Sequence, residues 1–191
     1  YIGTDNTKGG TVVAEALAKM IGEKGKVMIE NTNPDTSSVV GRGKGFRKGM
    51  EKYPDIEVVT EEWCLDLQDK AQAQVAAILQ KHPDLAGVFG VNVFSAQGAY
   101  RAIVNAGLSG AVKIATWDAT EDLINALKKG EVDLILAQMP AEMGSLCVEW
   151  GLKYLKGEVT EIPNKKIVPG FFVFTPENVD DPDAQQYIYS K

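Results

Sequence analysis

GVFGVNVFSAQGAYRAIVNAGLSGAVKIATWD, residues 87–118, is the stretch that decides the fold. Gly87-Val88-Phe89-Gly90 is a short apolar run of strand type, Ser95 to Asn105 reads as a helix, and Val112 to Thr116 is strand again. Strand, helix and strand at this spacing form the unit from which parallel sheets are built. The same alternation extends outward in both directions. Upstream lie a helix from Gly9 to Ile21 (Val13, Leu17 and Met20/Ile21 on one face), a strand at Lys26–Ile29, a helix at Ser37–Met50, a strand at Ile56–Thr60 and a helix at Gln68–Lys81. Downstream follow a helix at Glu121–Lys129, a strand at Leu134–Ala137, a helix at Ala141–Lys156 and a last strand at Phe171–Phe174. Crossovers between parallel strands are right-handed, which distributes the helices over both faces of the sheet. The predicted fold is therefore α/β: a doubly wound, mainly parallel sheet with helices on both faces.

Composition narrows the function. Of 191 residues 45% are apolar, which suits a soluble globular chain, and no apolar run approaches a membrane span. Twenty basic against 26 acidic residues leave a charge of −6, which argues against a nucleic-acid partner, since that needs a basic stripe. No secretory signal opens the chain at Tyr1-Ile2-Gly3-Thr4, and truncation is the expected reason. Cys64 and Cys147 fit no metal spacing and are expected to be unpaired, mostly buried thiols.

In open α/β sheets ligands bind beyond the carboxyl ends of the strands. The residues found there are Asn31, Trp63, Asn92, Asp118 and Gln138, with Arg42 near a helix start. Side-chain amides, a carboxylate and a guanidinium offer directional donors and acceptors, and an aromatic plate offers a flat apolar surface; sugars need both. Each residue also has a plainer reading: Asn92 or Asp118 as a helix cap, Trp63 as a core aromatic, Gln138 as loop polarity before Pro140.

Catalytic chemistry is missing. The single histidine, His82, precedes a proline at a helix end on the opposite edge, so neither a Ser-His-Asp relay nor a histidine-rich metal site can be assembled. Gly41-Arg42-Gly43-Lys44-Gly45 fails both the phosphate-loop and the dinucleotide patterns. The acidic run Asp180-Asp181-Pro182-Asp183 reads as a solvated tail. No cofactor or metal is called for, and the chain is expected not to be an enzyme.

Several segments together resemble the ribose-type family of periplasmic sugar-binding proteins, the type I solute receptors of ABC importers. They are Ile2-Gly3-Thr4-Asp5-Asn6 with Gly9-Gly10, Arg42-Gly43-Lys44-Gly45-Phe46, His82-Pro83-Asp84-Leu85 with Asn92, Thr116-Trp117-Asp118, Ala137-Gln138-Met139-Pro140, and Tyr154-Leu155-Lys156-Gly157-Glu158. The resemblance runs from Tyr1 to about Val179 and implies a two-lobed receptor whose first lobe is absent here. It divides the chain into the end of the first lobe at 1–4, the sugar-binding second lobe at 5–137, a segment at 138–170 that returns to the missing lobe, and a final strand with an acidic tail at 171–191.

By the same resemblance Arg42, Asn92, Asp118 and Gln138 match sugar-bonding positions. Val93 departs from the aspartate the family often carries there. Trp63 is taken as the stacking aromatic, although an ungapped count back from His82 puts Asp66 at that position. The implied ligand is a small sugar, pentose or hexose, and the implied partner a membrane permease, in a periplasmic or extracytoplasmic setting. Closure is expected near Thr4-Asp5, Gln138 and Gly170. Met143, Leu146, Cys147, Trp150 and Tyr154 form an apolar stripe that should be exposed in this chain and favour self-association or docking of a first lobe. The rival reading is the effector-binding core of a sugar-responsive transcription repressor, which shares the fold.

Overall fold

The computed structural model describes residues 1–161 and 165–189. Positions 162–164 of the return segment and 190–191 of the tail lie outside the described residues. The elements run α1 (Asn6–Met20), β1 (Gly25–Asn31), α2 (Ser37–Met50), β2 (Ile56–Trp63), α3 (Gln68–Lys81), β3 (Leu85–Gly90), α4 (Val93–Asn105), β4 (Lys113–Trp117), α5 (Glu121–Lys128), β5 (Leu134–Ala137), α6 (Pro140–Leu155) and β6 (Phe172–Phe174). The strands form one sheet in the order β2-β1-β3-β4-β5-β6. All pairs are parallel except β5 with β6. The predicted fold class is the observed one.

Two cores sit on the two faces. On one, Val13 and Leu17 of α1 and Phe46 of α2 pack with Ile29, Phe89 and Trp117, all fully buried. On the other, α3, α4 and α5 bring Val75, Ile103 and Leu123 onto Met28, Val88 and Ile114. Because β1 feeds β2 on one side while β3 emerges on the other, the winding reverses between β1 and β3. A crevice at the carboxyl ends follows from that reversal.

The glycines of residues 41–45 have a packing reason. Helices α1 and α2 cross so closely that a Cβ on Gly45 would lie 2.0 Å from the Thr7 carbonyl oxygen, and one on Gly10 would lie 2.2 Å from that of Arg42. Thr11 Oγ1 donates to the Gly45 carbonyl oxygen (3.0 Å) across the same contact. The phosphate-loop look of the run is thus a helix crossing, with Arg42 carried on its sheet-facing side.

One helix stands apart. None of α6 is buried; Val148, Leu152, Tyr154 and Leu155 are exposed, as is Cys147. Both cysteines are free, but only Cys64 is buried: Cys147 departs from the expectation of two mostly buried thiols and follows that of an exposed stripe. The reason is that α6 has no layer beneath it. Burial pushes the Cys64 thiol up to about 11, so it stays protonated and inert. Among the described residues no helix is long and apolar enough to cross a membrane.

Candidate functional site

The carboxyl ends of β3, β4 and β5 converge with the first turn of α1 and the middle of α2. Arg42 is at the centre. Its side chain is 6% exposed and lies over the Trp117 ring, with the guanidinium carbon 4.3 Å from the centroid. Nε donates to Asn6 Oδ1 (3.0 Å) and Nη1 to the Val91 carbonyl oxygen (2.7 Å) at the end of β3. Burial holds the guanidinium below its ordinary pKa, and Asp118 pulls it back up. An ion held this way is pre-aimed, with little rotamer entropy left to lose on binding.

Asp118 follows β4 in a left-handed conformation, φ 73°, unusual for a residue with a side chain. Its amide donates to the Leu136 carbonyl oxygen, fixing the turn to β5. The carboxylate takes Gln138 Nε2 on Oδ1 (2.7 Å), while Oδ2 stands 3.9 Å from Arg42 Nη1. That last separation is an ion pair but too long for a hydrogen bond. Gln138, the residue after β5, also accepts from Thr4 Oγ1 (2.8 Å). The three chain segments expected to form the hinge come side by side here: Ile2 bridges Ile167 in parallel, Thr4 meets Gln138, and Gly170 abuts Met139.

Asn92 is a helix cap and more. Its Oδ1 accepts from the amides of Phe94 (3.0 Å) and Ser95 (3.1 Å) and completes a capping box. Its Nδ2 is left to donate outward, to Asp66 Oδ1 (2.9 Å).

The structure does not bring Trp63 into this group. β2 runs three residues past the predicted Thr60, so Trp63 is the strand's last residue, paired with Asn31, and lines a shallow groove with Val40, Lys44, Arg47 and Glu61. The loop beyond it turns through two left-handed residues, Leu65 (φ 57°) and Asp66 (φ 58°), and the turn delivers Asp66 to Asn92. Trp63 thus stands at the end of β2 in a groove of its own, while Asp66, the residue reached by the ungapped count, is the one that bonds Asn92. Asn31 is also used up internally, donating to Glu61 Oε1 (2.6 Å) and to the Val39 carbonyl oxygen (3.3 Å).

Two further participants were not among the candidate site residues, although Asn6 lies in a quoted segment. Asn6, in the first turn of α1, orients Arg42. Tyr189, from the carboxyl-terminal tail, donates to Asp118 Oδ1 (3.1 Å) and accepts from the Gln138 amide (2.9 Å). The run of three large apolar residues, Tyr187-Ile188-Tyr189, is the available signal that this end of the tail packs. Among the described residues no group of three or more His, Cys, Asp or Glu side chains is disposed to hold a metal.

The periplasmic binding protein domain model matches residues 1–159. The chain belongs to that family. Among curated members it is 32% identical, over 158 residues, to the ribose import binding protein of Salmonella typhimurium, covering 83% of this chain and 53% of that one. Among solved members of this periplasmic binding protein family it superimposes with a TM-score of 0.96 and 39% identity on an ABC transporter solute binding protein from Agrobacterium vitis bound with α-D-tagatopyranose. That match covers 100% of this chain and 63% of the other. A counterpart from Actinobacillus succinogenes with bound D-allose gives 0.89 and 30%, covering 95% and 63%. The chain thus spans about half the length of the curated relatives it matches.

Proposed function

We propose that this chain forms one wall of the sugar site in a solute receptor of an ABC importer, and that it binds its ligand without transforming it. The observation that carries the reading is the cluster of buried Arg42 and Asp118 with half-buried Gln138 at the switch point of a periplasmic binding protein lobe. Arg42 supplies a donor, Asp118 Oδ2 an acceptor and Asn92 with Asp66 a second polar pair, all at the carboxyl edge of the sheet. A sugar hydroxyl can bridge the gap between Arg42 and Asp118, accepting from one and donating to the other. No nucleophile or acid–base pair belongs to this set, which supports capture over catalysis.

The ligand we propose is a small sugar, pentose or hexose. The second wall would come from a first lobe outside this chain, onto which 138–170 would pack, and the recipient would be a membrane permease in a periplasmic or extracytoplasmic setting. Trp63 is left out of the proposed contacts, and Asp66 takes its place. A lobe alone leaves polar groups and sugar wet, so it should bind weakly.

Calorimetry on the chain joined to a first lobe, with a pentose and hexose panel, tests this. Submicromolar binding of one sugar is expected, weakened at least about 30-fold by Asp118→Ala or Arg42→Ala, since a lost charged partner costs about 2–5 kcal/mol. Absence of binding across the panel would sink the reading, and turnover of any sugar would sink the non-catalytic part.

A further inference from the structure

We propose that Tyr189, brought back by the carboxyl-terminal tail, is a positioning residue of the ligand site: its hydroxyl fixes the Asp118 carboxylate and the Gln138 crossing in one arrangement, and so sets how tightly a polyhydroxylated ligand is held. The inference rests on the sugar-site reading above and extends that site to a segment which sequence reasoning assigns to solvent.

The tail is anchored before it reaches the site. Tyr187 stacks on Phe172 of β6 with ring centroids 4.6 Å apart and planes 11° from parallel. Val179 and Ala184 are buried in the α3–α5 core, and Gln185 Nε2 donates to the Val179 carbonyl oxygen (2.9 Å). The Tyr189 amide donates to the Ala119 carbonyl oxygen (2.9 Å), directly beside Asp118. An aromatic ring fixed at both its backbone and its neighbour has one rotamer to offer, so its hydroxyl is placed and not merely available.

Hydrogen-bond direction then follows by elimination. The Gln138 amide can only donate, so at 2.9 Å the Tyr189 oxygen must accept from it. The single hydroxyl proton is therefore committed to Asp118 Oδ1 at 3.1 Å. Burial and the facing carboxylate push the phenol well above its ordinary range, so this proton stays in place at any working pH. Oδ1 is already the acceptor of Gln138 Nε2, and with Tyr189 it holds two donors. Oδ2 faces Arg42 across 3.9 Å and takes no hydrogen bond among the described residues. The carboxylate is thereby divided into a structural oxygen and a ligand oxygen. Without the phenol, Asp118 can rotate about its side-chain bonds and close on Arg42, occupying the gap where a hydroxyl would sit. Because Gln138 also holds Thr4, the same hydroxyl ties the carboxylate to the strand crossings.

The experiment is calorimetry and thermal melting of the full-length receptor, its Tyr189→Phe and Asp118→Asn variants and the double variant, with the sugar found in the panel. Removing the phenol oxygen alone should weaken binding about tenfold, the size of one hydrogen bond to a charged group, and leave the ring's packing intact. In the Asp118→Asn background Tyr189→Phe should add almost nothing, because the hydroxyl acts through that carboxylate, whereas a merely loosened tail lowers affinity equally in both backgrounds. An unchanged affinity in Tyr189→Phe, or an equal loss in both backgrounds, overturns the inference while the wild type's own binding keeps the sugar-site reading. No binding by the wild type overturns both.

Discussion

Helices α1 and α6 are nearly equal in length, 15 and 16 residues, and both carry apolar side chains at helical spacing. Six residues of α1 are buried and none of α6 is. Their sequences do not announce this difference, since α6 is the more apolar of the two. What differs is the layer underneath: α1 lies on β4 and β5 and against α2, while α6 leaves the sheet at Pro140 and meets nothing comparable. Amphipathic pattern states what a helix is able to bury; only a partner makes it do so.

The sharpest way to break this contrast is at paired glycines. Gly45→Ala puts a methyl group 2.0 Å from a backbone oxygen of α1, a clash no rotamer change relieves. A loss of at least about 4 kcal/mol in urea unfolding is expected, beyond what helix propensity returns. Gly144→Ala in α6 meets no atom within 4 Å, so propensity alone acts and a gain of about 0.5–1 kcal/mol is expected. Equal effects at the two sites would mean that α6 is covered in the folded protein.

Paired leucines probe the same difference with less violence. Leu17→Ala in α1 empties a fully buried site and should cost about 3 kcal/mol, while Leu155→Ala, at 81% exposure, should stay within about 0.5 kcal/mol. A loss above about 2 kcal/mol at Leu155 in the isolated chain would reveal self-association through this face.

The smallest expected effect concerns charge. In α6 the Lys153–Glu149 pair is solvated, whereas Glu30 in β1 is fully buried with neither carboxylate oxygen hydrogen-bonded. Burial, with Glu62 nearby, raises its pKa from 4.5 to about 9. The folded state therefore holds a proton that the unfolded chain releases near its ordinary pKa, and stability falls as pH climbs from about 5 towards 9. Glu30→Gln removes that slope. Its unfolding free energy should lie close to the wild type's near pH 5 and stay level while the wild type's declines towards pH 8. A wild-type stability that rises over this window would refute the assignment.

Much of the candidate site was legible at strand ends. Asn92, Asp118 and Gln138 stand where the winding of a parallel sheet must put them, and Arg42 lies one helix away. Element boundaries were read least well where the pattern was ambiguous: β2 continues through Glu61, Glu62 and Trp63 because strand pairing with β1 outweighs the charge of those residues. That extension puts Trp63 inside the strand and Asp66 in the turn beyond it.

The sequence by itself determined the order of strands and helices, the sheet class and the polar character of one sheet edge, because periodicity and turn residues act within a few positions. The tertiary structure alone decided that Gly45 and Gly49 of α2 serve a helix crossing, that α6 lies bare and that Tyr189 reaches Asp118 across 71 positions of chain. Contacts at that separation leave no local signature. They arise when crossovers fold the chain back, and the physical cause is burial: Phe172, Val179 and Tyr187 seat the tail, and the hydroxyl arrives with them.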